Sequence, residues 1–272
     1  MKKHIRQFYE QRYLAGGGGA GRLGGKPLAV ELGYPPGLLD LLPSEVWEDF
    51  LPCGNVLSRI DPGEGDRVLN LGCGAGVDSL LLKLSPHAAF SVINLDNVFP
   101  VLVTARKAAQ SLPFSKNAVS PPFLKDAVSP PFSKDSVFPP FVKGGQGGFA
   151  VHGLEFLCAD GAALPFAPGS FRWIILNGVF NLFPEKAELI EEMHRVLTPG
   201  GIVAGADLCR KAALPDYFAS EPDAWAWCMN GALTREELIE GFEAAGFSKR
   251  ELVTETMDEF FDRAVFVFAG TA

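Results

Sequence analysis

Several signatures of large protein classes are missing from this chain. No apolar run approaches the ~18 residues that a membrane span needs. Basic charge is scarce, with 24 Lys and Arg against 32 Asp and Glu and a net charge of −8. That excludes the clustered cations on which nucleic-acid phosphates or an anionic membrane depend. Cysteine is sparse: five residues, an odd number and widely spaced, make no disulfide framework. The four histidines, at 4, 87, 152 and 194, show no metal-ligand spacing. The opening MKKHIRQFYEQRYL is basic, but polar and aromatic residues stand where a signal peptide carries its apolar stretch. These absences predict a cytoplasmic, reduced protein that acts on a small partner, with no nucleic acid and no membrane. What is present is 272 residues, 47% apolar and 21% charged, enough for a sizeable core.

The first 60 residues read as a lead-in and lid segment: a short helix over 3–13, a glycine-rich flexible loop over 15–25, then a turn-rich stretch with the weakly helical SEVWEDFL. From Asp66 strands and helices alternate, giving one domain over 61–272. RVLNL, FSVINLD, LEFLCAD, FRWIILN and GIVAGADL read as buried strands. VDSLLLKL, VLVTARKAAQ and KAELIEEMHRVL read as the helices between them. TREELIEGFEAAGF opens on a capping box, and KRELVTET and AVFVFAG close the chain as two strands. The pattern predicts an α/β, Rossmann-like, doubly wound and mostly parallel sheet with an antiparallel C-terminal hairpin strand. Residues 111–149 interrupt it with a nine-residue repeat that keeps Phe114, Phe123, Phe132 and Phe141 in phase and carries Pro pairs. That composition predicts a disordered insertion; a linear-motif array docking through the phenylalanines is the alternative.

VLNLGCGAGVDS sets Gly72, Gly74 and Gly76 between a strand and a helix, with Val77 where a dinucleotide fingerprint wants a small residue. Asp78 in the helix's first turn would repel a pyrophosphate, so a cofactor without phosphates fits better. Asp96 ends the next strand, where a carboxylate takes ribose hydroxyls. With these residues on the page, the chain resembles a class I S-adenosylmethionine-dependent methyltransferase. The resemblance implies that Gly72, Cys73, Gly74 and Gly76 line the methionine part and that Asp96 and Asn97 serve the ribose. It also implies that Asp160, Gly161 and Ala162 close over adenine and that Asn177, ending the fourth strand, contributes at the reacting centre.

Within that family the chain is similar to the arsenite methyltransferases in three passages: LGYPPGLLDLLP…LPCGNVL, LNGVFNLFPEK and CMNGALTREELIEGFEAAGF. The resemblance puts Cys53 and Cys228 on arsenic-binding cysteines and Phe180 where that branch carries a third. Trivalent arsenic prefers thiolates, up to three in a pyramid, and its lone pair can attack a sulfonium methyl without a general base. Such ligands must be deprotonated, so the site is expected to depress their pKa values. Cys209, just past the fifth strand, or a small external thiol would supply the third sulfur. Cys73 and Cys158 read as packing residues, and Trp225 and Trp227 as pocket walls or core. Two other readings stay open: a small-molecule O-, N- or C-methyltransferase with Phe180 in an organic pocket, and a degenerate cofactor- or metalloid-binding protein without turnover. Oligomeric state is left open.

Overall fold

The computed structural model describes residues 1–14, 24–85, 88–112, 153–221 and 223–271. The repeat from residue 113 onward and the glycines at 15–23 lie outside them. In chain order the elements are α1 (Lys2–Leu14), α2 (Gly25–Glu31), α3 (Pro36–Leu39), β1 (Arg67–Leu71), α4 (Val77–Leu84), β2 (Ser91–Asp96), α5 (Phe99–Ser111), β3 (Leu154–Cys158), β4 (Phe171–Asn177), α6 (Lys186–Val196), β5 (Leu197–Arg210), α7 (Asp216–Ser220), α8 (Arg235–Ala244), β6 (Phe247–Thr256) and β7 (Phe261–Gly270).

The strands form one seven-stranded sheet in the order β3-β2-β1-β4-β5-β7-β6. Five are parallel; β7 runs antiparallel between β5 and β6, so the expected C-terminal hairpin is present. Burial on both faces explains the near-continuous apolar strands. In β1, Val68 packs with α4 and α5, whereas Leu69 and Leu71 pack with α6 and α8, following the period of two along a strand. β4 divides the same way, Trp173 and Ile175 against Ile174 and Leu176. α8 begins with a complete capping box: Thr234 Oγ1 accepts from the Glu237 N–H at 3.2 Å, and Glu237 Oε2 accepts from the Thr234 N–H at 2.8 Å. Such a cap contributes about 1 kcal/mol.

The order reverses between β1 and β4, both of which pair with their neighbours in parallel. At such a switch point the carboxyl ends of the strands open a crevice where ligands bind. Four expectations change. Gly25 opens a helix instead of ending a loop. The stretch after it is more ordered than its prolines suggest, with α2, α3 and short 3-10 turns, because Ala29, Tyr34, Leu39 and Val46 are buried in the core cluster that includes residues of α4 and α5. Within SEVWEDFL only Ser44–Val46 winds into a 3-10 turn. Ser111 closes α5 and Leu112 is buried, so the ordered fold runs two residues into the span assigned to the repeat.

Candidate active site

The glycine loop between β1 and α4 is held in a conformation that side chains resist. Gly72, Gly74 and Gly76 have φ of 67°, 53° and 79°, in the left-handed region that favours glycine. A Cβ at Gly72 would stand 2.3 Å from the Val179 side chain, so the β4 exit lies directly against this loop. Asp96 reaches back from the tip of β2. Its Oδ2 accepts from the Gly74 N–H and its Oδ1 from the Val98 N–H, both at 2.9 Å. Burial raises its pKa, and these backbone donors oppose the rise. A carboxylate offers about four acceptor directions; the N–H groups of Gly74, Val98 and Asn97 use three of them, which leaves room for a hydroxyl donor.

The other predicted cofactor residues sit around this crevice. Asn97 is exposed beside Asp96. Asp160 is exposed and its Oδ1 accepts from the Ala162 N–H at 2.9 Å. A Cβ on Gly161 would come within 2.8 Å of both Leu71 and Phe183, which explains glycine there. Cys73 is half-buried, its Sγ 3.5 Å from the Gly74 carbonyl, and Cys158 pairs in register with Asp96. α1 covers the loop: the Tyr13 hydroxyl lies 3.7 Å from where a Gly74 Cβ would stand. The residues present thus fit a nucleoside with a short amino-acid tail, approached by backbone and gripped by one acid.

The acceptor side is assembled from distant segments. Cys53 and Cys228 meet around Gly178 and Asp207. Cys228 Sγ donates to the Gly178 carbonyl at 3.4 Å. Cys53 Sγ is 3.9 Å from Asp207 Oδ1, and a Cβ on Gly178 would stand 3.6 Å from that same sulfur. Cys53 also packs against the apolar cluster containing Cys228. Cys228 is the one described non-glycine residue with positive φ, 63°. Both cysteines are free thiols.

The electrostatics run opposite to expectation. Burial and the Asp207 carboxylate raise both thiols well above the ordinary value, and Lys186 opposes this at Cys228. Asp207 itself, 2% exposed, is pushed up to about 6 by burial despite donors from Asn181 and Leu208 at 2.8–3.0 Å. Lys186 is brought down to about 8 by burial, its ammonium 5.3 Å from the Phe180 ring and 5.8 Å from the Trp225 ring. The resting site is therefore built around protonated thiols, and the expected depression of their pKa values is not found.

Phe180 does not face this site. It is 1% exposed and packs on Phe242 and Phe266 at 5.8 and 6.0 Å. A sulfur at the place of its ring would lie among those core phenylalanines. The side-chain position that faces the Cys53 thiol at the strand exit is Gly178. Cys209 also stands apart from the pair: it is 3% exposed in the layer of Phe242 and Leu238, bridged to Leu233. Among the described residues no group of three or more His, Cys, Asp or Glu is arranged to hold a metal ion.

Asn177 is fully occupied. Its Oδ1 accepts from the Cys53 N–H at 2.8 Å, and its Nδ2 donates to the Gly54 carbonyl and the Tyr34 hydroxyl, both at 2.9 Å. Asp78, pushed up to about 6 by burial, accepts from the Tyr34 hydroxyl at 2.7 Å. Sequence reasoning missed Tyr9, Tyr13, Tyr34, Lys186 and Asp207. Tyr9 donates to the Ala226 carbonyl at 2.7 Å and lies beside the two thiols. None of the five belongs to a spaced motif; a buried acid within the apolar strand GIVAGADL is the one available signal, and it names no partner.

A family model described as a methyltransferase domain matches residues 146–246. The chain is similar to arsenite methyltransferases. It is 30% identical to the arsenite methyltransferase of Halobacterium salinarum over 202 residues, 74% of this chain and 42% of that one. It is 26% identical to the arsenite methyltransferase of Aquipseudomonas alcaligenes over 239 residues, 86% and 59% of the two chains. This chain therefore spans roughly half the length of those relatives. A crystal structure of an arsenic(III) S-adenosylmethionine methyltransferase from Chlamydomonas reinhardtii superposes with a TM-score of 0.60 at 24% identity, over 85% of this chain and 71% of that one. The sheet order is that of the Rossmann-like fold of S-adenosylmethionine-dependent methyltransferases. Among the described residues no helix is long and apolar enough to cross a membrane.

Proposed function

We propose that this chain transfers a methyl group from S-adenosylmethionine to trivalent arsenic held by Cys53 and Cys228. One observation carries the reading. The Gly178–Val179 segment touches both reaction partners' sites, Val179 against the glycine loop and Gly178 against the two thiols. When bound, the cofactor supplies an electrophilic methyl on a sulfonium. Gly72, Gly74 and Gly76 admit it by their missing side chains, and Asp96 and Asn97 hold its ribose. Asp160, Gly161 and Ala162 close on the adenine.

As each As–S bond forms, an As–O bond of arsenite breaks and its hydroxyl leaves with the thiol proton as water, so arsenic keeps its lone pair to attack carbon. As the As–C bond forms, the methyl–sulfur bond breaks and its electron pair stays on the departing thioether. Gly178 provides no third sulfur and Cys209 lies in another layer, so a small external thiol on arsenic fills the third bond. The acceptor is thus a small metalloid species, and the reaction needs placement more than a base.

The test is titration of arsenite into the reduced protein, followed by transfer from a labelled cofactor, with Cys209→Ser in parallel. Expected are uptake, labelled methylarsenic product dependent on added thiol, and an unaltered Cys209→Ser. Uptake without transfer would identify a binding protein. No uptake, with transfer to an oxygen, nitrogen or carbon acceptor, would overturn the metalloid reading.

A further inference from the structure

Asn177 ends β4 facing the crevice, where a contact to cofactor or acceptor is the ready assumption. Its side chain has none to spare. The carbonyl oxygen holds the Cys53 amide, while the NH2 group holds the Gly54 carbonyl and the Tyr34 hydroxyl and lies 3.3 Å from Asp78 Oδ2. The amide thus pins both residues of the Cys53-Gly54 turn at once. Tyr34, 0% exposed, repeats the grip: its hydroxyl is 3.0 Å from the Gly54 carbonyl and 2.7 Å from Asp78. Asp78 stands in the first turn of α4, two residues past the last glycine of the cofactor loop.

The turn has little freedom elsewhere. A Cβ on Gly54 would stand 2.5 Å from Val265 and 2.9 Å from Ala206, so the backbone sits flush on β5 and β7. Cys53 carries a half-buried thiol that packs on apolar neighbours, which are non-directional, and its polar side-chain contact is the weak one to Asp207 at 3.9 Å. Its direction is therefore set by its backbone, and its backbone is set by Asn177.

We propose that Asn177, with Tyr34 and Asp78, is a positioning residue for the Cys53 thiol and ties that thiol to the helix that follows the glycine loop. The proposal uses the reading of Cys53 as a ligand, but its geometric content, control of one cysteine by one amide, is separate. Buried polar networks of this kind act as a unit when every member is satisfied.

The experiment is site-resolved alkylation of the full chain by iodoacetamide, read by peptide mass spectrometry, alongside calorimetry with S-adenosylmethionine. Asn177→Leu keeps the bulk and removes all the hydrogen bonds; Tyr34→Phe removes only the hydroxyl. In Asn177→Leu, Cys53 alkylation should rise about fivefold or more as the turn opens locally, with Cys209 unaltered. Cofactor affinity should stay within about twofold, because no hydrogen bond of Asn177 is directed at the cofactor crevice. Tyr34→Phe should move Cys53 the same way by a smaller factor, and it carries the test if Asn177→Leu fails to fold. Unchanged Cys53 alkylation in Tyr34→Phe, or a large loss of cofactor affinity in Asn177→Leu with Cys53 unchanged, overturns the proposal. Arsenite titration of the wild type reports on the metalloid reading independently, since alkylation needs no arsenic.

Discussion

At the glycine loop, the polar groups facing the sheet's carboxyl edge come largely from the main chain, whereas at the exits of β4 and β5 they come from side chains. On the first side a single carboxylate, Asp96, organises backbone N–H groups held in left-handed conformations. On the second, two thiols, an acid and an amine act on one another, each with a displaced pKa value. A backbone site depends on φ and on absent side chains, so its chemistry is carried by glycine. A side-chain site depends on which atoms are present, and exchanging one atom type changes what it binds. Cofactor recognition and acceptor recognition should therefore fail differently on mutation.

The largest effect is expected where atom type matters most. Cys228→Ser and Cys53→Ser should each abolish arsenite uptake, since oxygen is a poor ligand for a soft centre, while leaving cofactor affinity intact. Equal uptake by wild type and Cys228→Ser would remove the contrast between the two sides. On the cofactor side, Asp96→Ala should weaken S-adenosylmethionine by roughly tenfold or more, since hydrogen bonds to a charged group contribute about 1.5–3 kcal/mol. Calorimetry giving unchanged affinity in a folded variant would withdraw Asp96 from the ribose. Tighter binding of NADH than of S-adenosylmethionine would contradict the cofactor assignment altogether.

The same contrast decides what a reader of the sequence can see. Strands, helices and the capping box of α8 follow from apolar runs and caps because each is a local pattern, and the mostly parallel sheet follows from strand–helix alternation, whereas the strand order is a non-local property. The glycine loop is contiguous, with Asp96 twenty residues on, so it too is legible. The acceptor side joins residues 53, 177–178, 207 and 228, and no local period links them. Resemblance supplied Cys53 and Cys228 but set the missing sulfur at Phe180. The turn after β4 drives that ring into the core and leaves Gly178 at the thiols. Nor does a sequence show that both thiols are buried, with Asp207 beside them, which is why the direction of their pKa shift came out reversed.

Asp207 gives a smaller, pH-dependent test of the side-chain half. Its pKa is raised from 3.8 to about 6 in the folded protein. A carboxylate raised by burial contributes stability that is fully present below its unfolded value and lost as pH climbs through the folded one. Asp207→Asn does not titrate and keeps a carbonyl acceptor for its neighbours. Between pH 4 and 7 the stability of wild type should therefore fall relative to the variant by on the order of 2–3 kcal/mol. Parallel stability profiles from denaturant titrations would refute this. The substitution should also speed alkylation of Cys53 and Cys228 near pH 8, because the carboxylate is the second cause, after burial, of their raised pKa values.

The smallest effect is expected from the repeat. The sequence of 111–149 carries Pro pairs and no amphipathic period, which predicts a segment that either side of the edge can do without. Its anchors must stay: Leu112 is buried, and the Gly153 carbonyl accepts from the Val92 N–H at 2.8 Å, setting the register of β3 on β2. Replacing residues 113–152 by a Gly/Ser linker of about ten residues halves the loop twice. Loop closure costs only about 0.6 kcal/mol per doubling, so stability should change by roughly 1 kcal/mol, in favour of the shortened chain. Cofactor affinity and the alkylation of Cys53 and Cys228 should not move, since α5 and β3 keep their ends. A shortened chain that failed to fold, or lost several kcal/mol, would instead place the repeat's phenylalanines in the core. A folded chain with lost arsenite uptake alone would tie the repeat to the side-chain half of the site, and the contrast between the two halves would have to include it.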